Sequence, residues 1–578
     1  MKFAVIADYF EKLEATTKRL EMFDILSELF KKAKPSEIDK LVYICQERIK
    51  PPYEGIEIGM AEKMLEKAIA RATGTDLKKV SSLYKKKGDL GLVAETLASK
   101  QSFKLVKPKE LTLNDVYEGF LKTALTSGAG AVERKISIIS GLLSRANPKE
   151  AKYISRFVIG RLRLGIGDPT IMDSLSKAKV GDRSLREKIE RAYNLCSDLG
   201  LVAKTLFEKG EKALEKFKVT PGKPIRMALA ERLPSSKDII KKIGKCAVEA
   251  KYDGFRLQCH KIGKKVFLFS RNLENMTHMF PEIVDAVKRL RHKEIIFEGE
   301  ALTYNEATGE LYPFQVTITR KRKYEIEKVA EELPLRMFVF DLLYVDGKDY
   351  TQEPYIKRRK KLESIFKKED ILQPSEMIIT DNPEEIERFF EKEVSAGLEG
   401  VMAKRLDAPY SAGARNYNWI KLKRSYKGEL ADTIDVVIVG YLKGRGMRAK
   451  FGIGAVLVAV YDDKEDVFKT IAKVGSGFSE EQWVELRKML DKIAVKHKPA
   501  RVDSLIKPDV WVEPKYVITV NADEITRSPL HTAGRTEKHS GFALRFPRAV
   551  SFIRFDKKPE DANTVKEIEK MFKMQKKK

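Results

Sequence analysis

The sequence has little of what builds disulfide frameworks, zinc sites or membrane spans. Its 578 residues include four cysteines, and no two of these form a CxxC pair. The six histidines are scattered and give no HExxH motif. A disulfide framework or a zinc knuckle is therefore disfavoured, and a reducing cytosol fits. The longest apolar stretch, near 452–461, is too short to cross a bilayer, and the first residues lack the apolar run of a signal peptide. We expect a cytoplasmic protein without a membrane attachment.

Charge is abundant, and one sign prevails. The 111 lysines and arginines exceed the 84 aspartates and glutamates, which gives a formal net charge of +27. A strongly cationic protein attracts polyanions, so nucleic acid is the predicted partner. The alternative is a highly charged surface that serves only solubility. The charged fraction of 34% also fits a heat-adapted protein rich in ion pairs.

Length and periodicity predict three domains. Residues 1–220 carry apolar positions at three-four spacing and are predicted to be all-α. A linker with prolines and a glycine follows at 219–236. Residues 221–428 alternate short strands with helices, as in an α+β domain, and 429–578 read as a small β-barrel with a basic tail.

Individual elements can also be predicted. We expect one amphipathic helical stripe from Phe10 to Phe30. We expect strands and helices at further positions: a hairpin of 256–260 with 266–270, strands at 294–304 and 336–345, and helices at 281–291, 383–395 and 479–495.

A run of arginines and glycines marks the helical third. In SRFVIGRLRLGIGD, Arg156, Arg161 and Arg163 lie beside glycines that allow a backbone to approach a partner closely. The run is either a surface that follows phosphates or an ordinary solvated helix end, and local sequence does not decide between them.

The segment EAKYDGFR contains the strongest candidate for chemistry. Alternate residues of a strand share one face, so Glu249, Lys251 and Asp253 are predicted to point the same way. A lysine between two carboxylates becomes a nucleophile once it loses its proton, which nearby cations, a metal or desolvation promote. The alternative is a salt-bridged strand residue before an Asp-Gly turn.

This segment resembles the KxDGxR signature of the nucleotidyltransferases that include ATP-dependent DNA ligases and mRNA capping enzymes. Here the signature is Lys251, Asp253, Gly254 and Arg256. Further motifs follow in the family's order: SRNLENMT with Ser270 and Arg271, FEGEAL with Glu298 and Glu300, FVFDLLYVDG with Phe340 and Asp341, LEGVMAK with Glu399 and Lys404, NWIKLKR with Lys421 and Lys423, and GFALRFPR with Arg545 and Arg548. The ordered set favours an enzyme over the salt-bridge alternative.

The resemblance implies that Lys251 attacks the α-phosphate of ATP, releases pyrophosphate and keeps AMP. The ATP site that it implies is Glu249 for the adenine amine, Phe340 for base stacking, Arg256 and Glu300 near the ribose, and Arg271, Arg415 and Lys421 at the phosphates. Lys423 and Arg545 are further candidates for stabilising the transition state, and Arg548 is a weaker one. A magnesium or manganese ion is expected at Glu300 and Glu399.

The likeness extends over nearly the whole chain and is greatest to archaeal replicative DNA ligases. It implies an all-α DNA-binding domain, an α+β nucleotidyltransferase domain of ATP-grasp-like adenylation type and a C-terminal OB-fold β-barrel. The implied enzyme is a monomer that seals nicks in double-stranded DNA during replication, recombination and repair. NAD-dependent ligases are disfavoured because their zinc cysteines are absent.

Several alternatives stay open in the sequence. An RNA ligase or capping guanylyltransferase would share the motifs, and a non-catalytic nucleic-acid binder would share the fold. A sliding-clamp peptide is expected in the first domain of archaeal relatives, and here the place reads KQSFKLV. Gln101 and Phe103 are present with only one aromatic, so clamp binding is a weak expectation.

Overall fold

The computed structural model describes residues 1–100, 109–304, 311, 334–367, 371–396, 398–423, 433–444, 452–522 and 524–575. The predicted clamp peptide around Gln101 and Phe103 therefore lies outside the described residues. None of the described helices combines the length and the apolar character needed to span a membrane.

The N-terminal third is helical, as predicted. Its twelve described α-helices are α1 Phe3–Ala15, α2 Arg19–Lys32, α3 Ile38–Cys45, α4 Glu62–Thr73, α5 Leu77–Lys87, α6 Leu90–Ser99, α7 Leu113–Leu125, α8 Ala131–Arg145, α9 Pro148–Val158, α10 Asp168–Val180, α11 Arg186–Cys196 and α12 Leu199–Lys209. They enclose one apolar core that includes Phe10, Phe30 and Phe120. The stripe predicted from Phe10 to Phe30 is divided between α1 and α2, because the chain is extended at Thr16 and Lys18.

Two arginines of the run SRFVIGRLRLGIGD form contacts within the protein, one inside the helical region and one also with the C-terminal region. Arg156 is 2% exposed and forms ion pairs with Glu14 and Asp89. Arg163 pairs with the same Asp89 and also donates to the backbone oxygen of Ala494 in the C-terminal region, at 3.1 Å. Arg156 therefore holds helices together and has no free guanidinium for phosphates.

Two sheets form the central region, flanked by four described helices. The strands are β1 Leu229–Arg232, β2 Cys246–Lys251, β3 Phe255–Ile262, β4 Lys265–Ser270, β5 Glu294–Thr303, β6 Leu335–Val345, β7 Lys348–Asp349, β8 Leu372–Pro374, β9 Met377–Thr380, β10 Gly400–Arg405 and β11 Arg415–Lys423. The helices are α13 Ser236–Ile243, α14 Pro281–Arg289, α15 Tyr355–Ile365 and α16 Pro383–Ser395. The predicted β3–β4 hairpin, the two predicted strands and the helix at 383–395 are confirmed.

The pairing of these strands brings the motifs together. One sheet has the order β1-β11-β10-β2-β9 and the other β4-β3-β5-β6-β7, with β8 beside β6. The β2 strand ends at Lys251 and β3 begins at Phe255 in the other sheet, so the Asp-Gly turn connects the two sheets. An added Cβ at Gly254 would lie 2.4 Å from the oxygen of Ala301, which explains the glycine there.

The C-terminal region is rich in strands. They are β12 Ile434–Leu442, β13 Ala455–Asp462, β14 Val467–Val474, β15 Ala494–Val495, β16 Val502–Asp503, β17 Val510–Val512, β18 Val517–Asn521, β19 Glu524–Ser528, β20 Gly541–Arg545 and β21 Arg548–Ala549, with helices α17 Glu480–Lys492 and α18 Val565–Gln575. In the described residues, eight strands form an open sheet and β19–β20 a separate hairpin. Among the residues that the structure describes, the strand pairings do not close the predicted barrel.

Candidate active site

A cavity of about 450 Å³ lies where the two central sheets meet the C-terminal region. Its lining brings together residues that are far apart in sequence. Ten of the predicted site residues are there: Glu249, Lys251, Arg256, Arg271, Glu300, Phe340, Glu399, Arg415, Lys421 and Lys423. Asp253 also lines the cavity, although it lies in the turn after β2, which ends at Lys251.

Lys251 lies beside Glu399 in the lining of the cavity. Its ammonium donates to one carboxylate oxygen of Glu399, and Lys423 forms an ion pair with the other. Burial acts to raise the pKa of Glu399, but the two ammonium groups outweigh it and leave this pKa well below its usual range. The nucleophile candidate is thus held in place by a carboxylate that a second lysine also neutralises.

Two other carboxyl groups near Lys251 behave in the opposite way. Burial raises the pKa of Glu300 to about 7. Burial, followed by the charge of Glu399, also raises the pKa of Asp253. The backbone N–H of Gly254 donates to Glu300 over 3.3 Å. Negative charge at Glu300 and Asp253 is therefore incompletely compensated by the protein.

One end of the cavity is aromatic and surrounds a buried carboxylate. Glu249 is 1% exposed and forms an ion pair with Lys404 at 2.9 Å. The Lys404 ammonium lies 4.9 Å from the ring centre of Phe340 and 4.3 Å from that of Trp419. Phe340 and Trp419 meet edge to face. This end offers a flat apolar face beside a fixed acceptor.

Arg256 is held by its terminal nitrogens only. One donates to the oxygen of Ala228 at 2.8 Å and the other to Glu298 at 2.9 Å. Glu298 also accepts from Tyr410 and from Gln258, each at 2.9 Å, which fixes it on strand β5. Within the described chain, the buried Arg256 Nε has no hydrogen-bond partner. It remains available for a ligand in the cavity.

A second group of residues in the cavity consists of cations that are paired with acids of the C-terminal region. Arg415 lies 2.5 Å from Glu567 of α18, and Lys421 lies 4.0 Å from the same carboxylate. Arg271 contacts Asp561 at 3.2 Å, while its Nε has no hydrogen-bond partner among the described residues. Burial acts to raise the pKa of Glu567, but Arg415 and Lys421 lower it to about 2. We refer to these three cations, by their predicted role, as the phosphate end, and to Glu249 with Phe340 as the base end.

The structure does not bring Arg545 and Arg548 to the cavity. Arg545 ends β20, is paired with Glu524 at 2.6 Å and has a side chain that is 57% exposed. Arg548 is also exposed. The cations that the C-terminal region adds to the cavity are Arg554 and Lys557. Sequence reasoning assigned no role to these two, although the basic segment RFDKK at 554–558 was available as a signal.

Lys557 forms an ion pair with Asp435, and Arg554 pairs with Asp556 at 2.8 Å. Burial lowers the pKa of Lys557, and the neighbouring Arg554 adds to this effect. Both cations are therefore oriented by carboxylates on the same region before any ligand binds. A move of the C-terminal region would carry them into or out of the site together.

A lysine, an aromatic face beside a buried carboxylate and several cations around one cavity are the groups that a covalent nucleotidyltransferase site requires. Three family models match the chain in order, "DNA ligase N terminus" at 2–176, "ATP dependent DNA ligase domain" at 227–423 and "ATP dependent DNA ligase C terminal region" at 449–557.

Full-length relatives agree. A "Probable DNA ligase" of Dictyoglomus turgidum is 54% identical, over 100% of this chain and 98% of the relative. The "DNA ligase 2" of Thermofilum pendens is 46% identical and the "DNA ligase" of Saccharolobus solfataricus 47%, with the same two coverages. The chain belongs to the ATP-dependent DNA ligases. The alternatives of a capping enzyme, an RNA ligase or a non-catalytic binder are not supported.

Proposed function

We propose that this ligase carries AMP on Lys251 and that the residues of the cavity divide the work of forming that adduct. The observation that carries the proposal is that one cavity is lined by Lys251, by Glu249 and Phe340, and by the cations Arg271, Arg415 and Lys421. A nucleotide bound in this cavity can place its α-phosphate at the lysine. The aromatic face with its carboxylate and the group of cations match the two chemically different halves of ATP.

Orphaned polar atoms support this placement of ATP. The buried Nε atoms of Arg256 and Arg271 and the Oδ1 atom of Asn272 have no partner among the described residues, and all three residues line the cavity. Buried donors and acceptors without partners are costly and are expected to be satisfied by a ligand. Adenine stacks on Phe340 with its amine at Glu249, the ribose lies at Arg256, and the phosphates lie at Arg271, Arg415 and Lys421.

A divalent cation fits the same cavity. Glu300 and Glu399 are oxygen ligands of the kind that Mg²⁺ prefers. The raised pKa of Glu300 indicates that the protein does not fully neutralise its negative charge, so a bound cation would stabilise the ionised carboxylate. The described residues contain no ready cluster of three or more metal-binding side chains. A bound Mg²⁺ usually keeps several waters and would neutralise phosphate charge here. Manganese is the second candidate.

The first chemical step follows from the contacts of Lys251. The ammonium first loses a proton to water, and its Nζ then attacks the α-phosphorus of ATP, so that an N–P bond forms while the bond to pyrophosphate breaks. Lys423, Arg554 and Lys557 stabilise the charge on the five-coordinate phosphorus and on the leaving group. Arg545 stays a candidate for this work only in an arrangement of the C-terminal region different from the one described.

The two later steps need room for DNA. AMP passes from Lys251 to the 5′-phosphate at the nick, and the 3′-hydroxyl then displaces AMP. Residues of the C-terminal region line the same cavity, so this region, which we take to be an OB-fold domain at 429–578, moves away before DNA enters. The helical domain at 1–220 holds the duplex through its backbone, next to the adenylation domain at 221–428. We further propose that the protein is a cytoplasmic monomer. A separate proposal is that it binds a sliding clamp through Gln101 and Phe103.

A nick-sealing assay over nucleotide and metal pairs tests the proposed function. We expect sealing of nicked duplex DNA with ATP and Mg²⁺ or Mn²⁺, and the same assay reports any use of ADP, NAD⁺ or GTP. Lys251→Ala should bind nicked DNA as the parent does and seal nothing. Sealing by that variant, or sealing that needs no nucleotide, would overturn the assignment.

A further inference from the structure

Besides Lys404, the carboxylate at the base end is fixed by two residues that no motif of the family resemblance included, Tyr355 and Ser375. Oε1 of Glu249 accepts a hydrogen bond from the Tyr355 hydroxyl and also forms the ion pair with Lys404. The hydroxyl of Ser375 donates to Oε2 at 3.1 Å. A carboxylate has about four acceptor positions. Three described donors thus leave one position, on Oε2, for a ligand.

Arg359 determines the direction of the hydrogen bond between Ser375 and Glu249. Arg359 donates to the Ser375 hydroxyl at 2.7 Å and to the Ser375 carbonyl at 2.6 Å. Because the Ser375 oxygen already accepts from a guanidinium, its own proton is directed to Glu249. Tyr355 and Arg359 are four residues apart on α15, so one helix face presents both.

The Tyr355 hydroxyl is equally constrained. It is buried, and burial together with the neighbouring Glu249 raises its pKa well above the usual range, so it keeps its proton. The same helix is tied to strand β6 by Arg358, which donates to both oxygens of Asp341 at 2.7 and 3.0 Å. Asp341 follows Phe340, so the stacking face and the donors to Glu249 belong to one rigid unit.

We propose that Tyr355 and Ser375 are positioning residues that determine which nucleobase the ligase accepts, by holding Glu249 as a pure acceptor with one free position. Such an acceptor matches an amino group at position 6 of a purine. It repels the oxygen that inosine and guanine carry there, because two acceptors would face each other in a buried site. The inference rests on the proposed placement of the base beside Glu249.

The unmodified protein gives the first test. Formation of the Lys251 adduct is measured with ATP, with the triphosphate of unsubstituted purine riboside and with ITP. We expect kcat/KM to fall in that order, with ITP about a hundredfold or more below ATP. ITP equal to or better than unsubstituted purine riboside triphosphate would overturn the inference. No adduct from ATP itself would instead overturn the proposed function.

Two variants separate positioning from stability. Tyr355→Phe and Ser375→Ala each remove one donor with little change in volume, and each should lower the ATP-to-ITP ratio of kcat/KM by about tenfold. The matched control is Tyr441→Phe, which removes a buried tyrosine's hydrogen bond to Asp491 in the C-terminal region. It should leave the ratio unchanged. Equal losses with ATP and ITP in both site variants would mean a structural role only and would overturn the inference.

Discussion

The two ends of the nucleotide cavity are built on different principles. At the base end, Glu249 is fixed by partners within the central region. At the phosphate end, Arg415 and Lys421 are paired with Glu567, and Arg271 with Asp561, both from the C-terminal region. With ATP placed as proposed, the comparison teaches that base selection would be preorganised, whereas phosphate binding would require an exchange of ionic partners.

The largest effect is expected from removing a cation at the phosphate end. Arg271→Ala should reduce kcat/KM for adduct formation by about a hundred- to a thousandfold, because one oriented donor to transition-state charge is worth that much. Arg405→Ala is the control, since Arg405 is exposed and paired with Asp407. Quantifying the radiolabelled adduct over time measures both. Similar rates for the two variants would remove Arg271 from the phosphate end.

At the base end the expected effect is on affinity. Phe340→Ala should raise KM for ATP by about tenfold with kcat nearly kept, because it removes a stacking face and no transition-state charge. Phe340→Tyr should keep the parent's KM. Steady-state kinetics of adduct formation separates the two parameters. A loss confined to kcat would place the adenine elsewhere.

The third prediction concerns pH. Burial raises the pKa of Glu300 to about 7, so a proton competes with a metal ion below that pH. As pH falls from 8 to 6, the protonated fraction rises and affinity for Mn²⁺ should drop by up to about tenfold. Free Mn²⁺ is read by electron paramagnetic resonance. Glu300→Gln should bind Mn²⁺ weakly, and its Mn²⁺ affinity should depend less on pH than that of the parent. If the pH dependence of the variant equals that of the parent, the proton belongs to another group.

The smallest effect should come from breaking the interregional pairs. Glu567→Gln frees Arg415 and Lys421 for phosphates and should lower KM for ATP by about fivefold. Glu569→Gln lies on the same helix, and Glu569 pairs with the exposed Lys573. This control should leave KM unchanged. A higher KM in the Glu567 variant would mean that its carboxylate helps to organise the site.

Local patterns predicted much of the central region. The β3–β4 hairpin and the helix Pro383–Ser395 follow from strand periodicity and from a proline at the helix start. The break between α1 and α2 was missed because the apolar spacing continues across Thr16 and Lys18. Three-four spacing reports which face is buried and is insensitive to a short extended segment between two helices.

The site was predicted where a motif is short and was missed where contacts are long-range. Lys251 and Asp253 lie in one short segment, so a single sequence motif identifies both. Tyr355 is separated by 106 residues from the carboxylate to which it donates, and no spacing rule relates the two. Arg554 and Lys557 reach the cavity only through the docking of the C-terminal region, which is a tertiary event.

The central claim is that one amine, that of Lys251, holds the adenylate. The most direct test is to incubate the protein with ATP and a divalent cation, digest it and locate the added mass by tandem mass spectrometry under conditions that preserve the N–P bond. We expect a single AMP on the peptide that contains EAKYDGFR, at its lysine. An adduct on any other peptide, or none while nick sealing proceeds, would contradict the account.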